Sequence, residues 1–225
     1  MEQPPKSQGY GFWYRNSLSI VFLVLMAGSL VGQIYTGWQE HNDFLKDHRV
    51  QELLLFSYLG SGHFLQSTFE NWESEFLQMA LFVILTIFLR QIGSSESKEL
   101  GAQEEEDDEL PKPGSPWPVK KGGWILMLYK HSLSISLLLL FAGSFMVHWY
   151  GSWVDFNEQQ LLEHKPTEQF LSYLHNKRFW FESFQNWQSE FLSVFAIVFL
   201  SIYLRQTGSP QSKPVNAPHD KTGEG

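Results

Sequence analysis

A chain of 225 residues with 19 Phe, 9 Trp and long uncharged runs has the composition of a membrane protein rather than of one or two soluble domains. It has no Cys, which excludes disulfides, thiolate nucleophiles and Cys-ligated zinc or iron–sulfur centres. The net charge of −8 gathers in Glu104 to Glu109, and nothing resembles a basic nucleic-acid footprint.

The segment Asn71-Trp72-Glu73-Ser74-Glu75-Phe76-Leu77 returns as Asn186-Trp187-Gln188-Ser189-Glu190-Phe191-Leu192, 115 positions on, and the two copies align without a gap from Tyr14/Tyr129 to Ser94/Ser209. Self-similarity divides the chain into a first two-span repeat (1–95), an acidic Pro-rich disordered linker (96–119), a second repeat (120–209) and a disordered tail (210–225). The first apolar run is read as a retained helix and not a cleaved leader, because it recurs inside the chain.

Leu18 to Tyr35 and Leu133 to Tyr150 are uncharged over eighteen residues, close to the ~20 needed to cross a bilayer, and form the first and third spans. Trp38 and Trp153 close them, and with Trp72 and Trp187 are expected at headgroup depth. Ala27-Gly28-Ser29 and Ala142-Gly143-Ser144 predict close helix packing inside the bundle, with Gly28 and Gly32 at GxxxG spacing in the first copy only. The apolar runs Phe76 to Leu89 and Phe191 to Leu204 are fourteen residues long. To cross, the second and fourth spans must begin near Asn71 and Asn186.

Between the spans of each half lie long connections, 39–70 and 154–185. Leu55, Phe56 and Leu59, matched by Phe170, Leu171 and Leu174, predict a short amphipathic helix along the interface. The chain is therefore read as all-α and integral to the membrane, with four transmembrane helices arranged as two tandem parallel hairpins. Lys and Arg concentrate on the side holding the termini and the linker, which predicts cytoplasmic termini.

Thr68, Asn71, Glu75 and Gln78 share one helical stripe, as do Ser183, Asn186, Glu190 and Ser193. Gln33 and His148 sit at equivalent positions of the first and third spans. Together Glu75, Glu190, Asn71, Asn186, Gln33 and His148 form an expected polar cluster able to bind a proton or small cation. The competing reading is that the glutamates only mark the membrane boundary at a helix start. None of the eight His is matched by a His in the other copy and no HExxH is present, so no metal site is expected; GxSxG and Walker spacings are also missing.

The stretch Gly62 to Met79, with Leu89-Arg90-Gln91-Ile92-Gly93-Ser94, resembles an uncharacterised bacterial multi-pass membrane family, domain of unknown function 6766. The second copy departs from it at Arg178, Trp180, Phe181 and Gln188. The resemblance implies a bacterial inner membrane and supplies no activity, ligand or cofactor. The expected function is a structural or interaction subunit without catalysis, whose partners are the lipid bilayer, a second copy or other membrane proteins. The alternative is a small proton- or cation-linked transporter or channel component using Glu75 and Glu190.

Overall fold

Apolar runs flanked by helix-compatible polar residues give long helices, and the computed structural model describes residues 11–101 and 110–223, whose regular elements are all helical, with no strand among them. The acidic tract 104–109 lies outside the described residues. In order, α1 (Phe12–Arg15) leads into α2 (Ser17–Asp47), and α3 (Leu55–Tyr58) precedes α4 (Gly62–Phe88). After the linker come α5 (Trp117–Lys121), α6 (Gly123–Lys130), α7 (Ser132–Leu162), a 3₁₀ turn (Ser172–His175) and α8 (Lys177–Tyr203).

The long helices overrun their apolar segments. α2 and α7 each have 31 residues and α4 and α8 each 27, so the connections expected over 39–70 and 154–185 shrink to 48–61 and 163–176. Residues 39–46 are mostly polar and of mixed helix propensity, and a buried face of His41, Asn42 and Leu45 holds them in register. Both loops close alike. Trp38 Nε1 donates to Leu53 O at 2.7 Å and Trp153 Nε1 to Glu168 O at 2.8 Å; Asn42 and Asn157 each exchange two hydrogen bonds with those same loop residues. The two indoles expected at headgroup depth thus spend their N–H groups on loop carbonyls.

Ser61 and Asn176 cap the starts of α4 and α8, accepting from Phe64 N and Arg178 N. Arg90 and Arg205 close the other ends, each guanidinium donating to three carbonyls of the last turn. In place of the expected interfacial helices stand the four residues of α3 and the 3₁₀ turn, too short to present an amphipathic face. Phe170 turns inward instead and stacks on Trp149, ring centroids 4.0 Å apart.

Packing is unequal. α4 lies antiparallel along α7, and the close approach is made by Gly62 and Gly151: a Cβ on Gly62 would strike Asp155 N, and one on Gly151 would lie 2.6 Å from Gln66 N. The mid-span Gly28, Gly32 and Gly143 have nothing within 4 Å, so the expected packing role of those segments moves to the helix ends. α8 rests on α4, whereas α2 touches α4 at few points.

Among the described residues two helices, not four, are by themselves long and apolar enough to cross a membrane: α2, whose apolar stretch is wholly unburied, and α7. In α4 and α8 the polar first halves, with Glu70, Glu73, Glu75, Glu182 and Glu190, dilute the apolar second halves. The segment read as a disordered tail folds back on the end of α8. Lys213 Nζ donates to the carbonyls of Pro218, His219 and Lys221, and Gly223 N to Ser94 O at 3.0 Å.

Tyr58 and Tyr173, at equivalent positions, are fully buried. Burial, with Glu40 and Asp155 nearby, pushes the Tyr58 hydroxyl up to about 12. The folded state therefore resists ionisation of Tyr58, and the stability it contributes is complete below pH ~10 and lost as pH rises toward ~12. A Tyr58→Phe chain should have its alkaline unfolding step weakened by on the order of 2 kcal/mol when helicity is followed against pH, the part due to Tyr173 remaining. An unchanged alkaline transition would place the effect elsewhere.

Candidate functional site

Helical stride brings His148, Ser152 and Asp155 onto one face of α7, Glu70 and Glu73 onto the facing side of α4, and Arg178 and Glu182 onto the first turns of α8. The three faces meet beside the loops. His148 is wholly buried and its Nδ1 lies 2.6 Å from Glu73 Oε2; Nε2 lies 3.4 Å from Glu182 Oε2 and 3.9 Å from Glu70 Oε2. An ionised carboxylate only accepts, so Nδ1 carries a proton and Nε2 faces the other two acids. Trp187 Nε1 donates to the second oxygen of Glu73 at 3.0 Å, which leaves Glu73 with both oxygens engaged.

Glu182 is divided in the same way. Its Oε1 accepts from Arg178 Nε at 2.7 Å, while Oε2 accepts from Ser152 Oγ. Since Ser152 has one proton and gives it to Glu182, Tyr173 must donate to Ser152, across 2.8 Å. Burial would raise the Glu182 carboxyl, but hydrogen bonds from His148, Ser152 and Arg178 outweigh it and hold the group below its ordinary value. Burial drives Tyr173 strongly upward, keeping it a neutral donor. Arg178 also binds Asp155 and, at 2.9 Å, Gln159. Glu70, His148 and Glu182 offer one donor atom each, all within 4.8 Å of one another.

The expected cluster is thus divided among separate contacts. His148 belongs to the acid set above. Gln33 donates instead to Thr68 at 3.2 Å and Ser67 at 3.4 Å. Glu75 and Glu190 meet each other across α4 and α8, with Glu75 exposed. Asn71 and Asn186 turn back to carbonyls of their own helices, Ser67 O and Glu182 O, and Asn186 also hydrogen-bonds Glu70 of the acid set. Trp72 is 38% exposed and carries no hydrogen bond comparable to that of Trp187.

Sequence reading missed Glu70, Glu73, Asp155, Arg178 and Glu182, because most of them fell in segments taken as loop. Two patterns were available: the stride His148–Ser152–Asp155 continuing past the apolar run, and Arg178–Glu182 at i,i+4. The first copy has Gln33, Gly37 and Ser67 where the second has His148, Ser152 and Glu182, and the second copy has Gln188 where the first has Glu73. An apolar groove of about 470 Å³ between α4 and α8, lined by Leu81, Phe82, Phe191 and Phe195, lies toward their opposite ends and shares none of this chemistry.

No curated protein and no solved structure compared with the chain matches it. A family model does so over residues 9–224, nearly the whole chain, including both copies of the repeated segment and every residue of the buried acid–histidine set. The chain belongs to the family described as Domain of unknown function (DUF6766).

Proposed function

We propose that this chain is a multi-pass protein of the bacterial inner membrane, with both termini cytoplasmic, whose Glu70–Glu73–His148–Glu182 cluster takes up a cation at the outer-loop end of the bundle. The observation that carries the reading is a charge imbalance. Within one hydrogen-bonded set, Glu70, Glu73, Asp155 and Glu182 stand against the single fixed cation Arg178 and one imidazole. Unbalanced carboxylates out of water are costly, so the set is stable only with an exchangeable positive charge.

The four-span arrangement is supported by the partner helices. An α7 that crosses the bilayer carries the apolar half of the antiparallel α4 beside it, and α8 is tied to α4. Their polar first halves then lie at the outer surface with the loops, each crossing running from Asn71 or Asn186 to its terminal arginine. The two hairpins are tandem repeats in this scheme, and four spans suit a small transporter or channel component.

The unburied apolar stretch of α2 favours a second reading, a structural or interaction subunit without catalysis, in which α2 seats on a second copy or another membrane protein. Proton flux separates the two. In liposomes containing the purified full chain and a pH-sensitive dye, the wild type should move protons down an imposed gradient and Glu70→Gln should reduce the rate at least tenfold. Absence of flux in both would transfer the weight to the interaction reading.

A further inference from the structure

We infer that the site formed by Glu70, His148 and Glu182 binds a first-row divalent metal ion of the zinc or manganese type, with Glu73 as the group that orients the histidine. This deepens the cation-binding reading above and rests on it. Three helices contribute one donor atom each, and the side chains of Glu70, His148 and Glu182 are only 12%, 0% and 8% exposed. Ligands at ~2.1 Å from a tetrahedral ion lie about 3.4 Å apart. Nε2 is already 3.4 Å from Glu182 Oε2 and 3.9 Å from Glu70 Oε2, so small side-chain shifts close the site.

The surroundings have the form that metal-bound histidines require. Such an imidazole donates its other N–H to a carboxylate, which fixes the tautomer and strengthens the ligating nitrogen. Glu73, with one oxygen held by Trp187 and the other on Nδ1, does this and has no oxygen left to ligate. Arg178 occupies the far oxygen of Glu182, and Oε2, which takes one hydrogen bond from Ser152, keeps its second lone pair for the ion.

Charge separates the metal from a bare proton. Four carboxylates and one guanidinium leave three negative charges around a neutral imidazole. A proton on Nε2 reduces this to two, and a second proton, on Glu70, whose carboxyl burial pushes up to about 7, is needed to reach one; a single dication reaches one at once and draws on both Glu70 and Glu182. One imidazole with two carboxylates suits zinc, manganese or ferrous iron better than magnesium or calcium. Three protein ligands leave a position for water or an exchanging ligand, as in sites that are not purely structural.

The test is calorimetric titration of ZnCl2 and of MnCl2 into the metal-stripped full chain in detergent, with CaCl2 as the contrast. One Zn²⁺ per chain should bind saturably, CaCl2 should give no comparable heat, and His148→Gln and Glu182→Gln should weaken binding more than a hundredfold. Glu73→Gln should weaken it ten- to a hundredfold. Zinc K-edge absorption of the loaded wild type should show one imidazole among oxygen donors, a result that does not depend on how any variant folds. No stoichiometric binding, wild-type affinity in the His148 variant, or a spectrum without imidazole would overturn the inference. Glu70-dependent proton flux without metal binding would overturn the metal alone, while its loss together with flux would remove the cation-binding reading as well.

Discussion

Gly151→Leu is expected to unfold the α4–α7 pair, with a loss of more than about 3 kcal/mol and a collapse of the thermal transition measured by circular dichroism in detergent. The atoms that a Cβ would meet are backbone and near-backbone, Gln66 N at 2.6 Å and Leu65 Cβ at 2.8 Å, so no rotamer change relieves the contact. The helices must separate. Because His148 lies one turn away, separation also withdraws its ring from Glu73 and opens the acid set to water. Gly28→Leu provides the contrast: nothing lies within 4 Å of that position, so the same change there should alter the midpoint by less than about 0.5 kcal/mol. Equal effects at the two positions would mean that the close approach at Gly151 does not limit stability.

The second large effect is expected at Arg178. Replacing it with Met retains most of the apolar stem but leaves Asp155, 2% exposed, and Glu182, 6% exposed, without their counter-charge. Stranding buried carboxylates costs about 3–5 kcal/mol, whereas removing both sides of such a pair can be close to neutral. Arg178→Met should therefore lower stability strongly, and adding Asp155→Asn should recover part of the loss; that recovery is the informative measurement. Arg178→Lys should rescue little, since one ammonium cannot reach Asp155, Gln159 and Glu182 in the fork that the guanidinium spans. A variant as stable as the wild type would show that the two acids are already neutral or hydrated.

The two copies share a frame and differ in the residues it carries. Tyr58 and Tyr173, the Trp–carbonyl and Asn–loop bonds, and the Arg caps at the helix ends occur at positions 115 apart. Within the acid–histidine set, Glu70, Glu73, His148, Arg178 and Glu182 have no like counterpart. In the first copy His63 approaches Glu40 at 3.2 Å where the second has Arg178 on Asp155, and Gln33 reaches Thr68 and Ser67 where the second places His148 among acids. A shared frame thus carries one neutral polar contact and one ionic site.

Composition and the period of the apolar residues were enough to fix the helical class, the two most apolar helices and the matched segments, because these depend on local hydropathy and spacing. Helix ends were not legible. Polar stretches such as Gln39 to Lys46 and Lys177 to Gln185 stay helical only because a neighbouring helix buries one of their faces, and that neighbour is not encoded locally. The site escaped for the same reason: Glu70 and Glu73, His148, and Glu182 lie on three helices far apart in the chain. Sequence alone supplied the acids and the imidazole; the glycine-mediated approach of α4 to α7, with α8 laid across α4, decided that they share one buried volume.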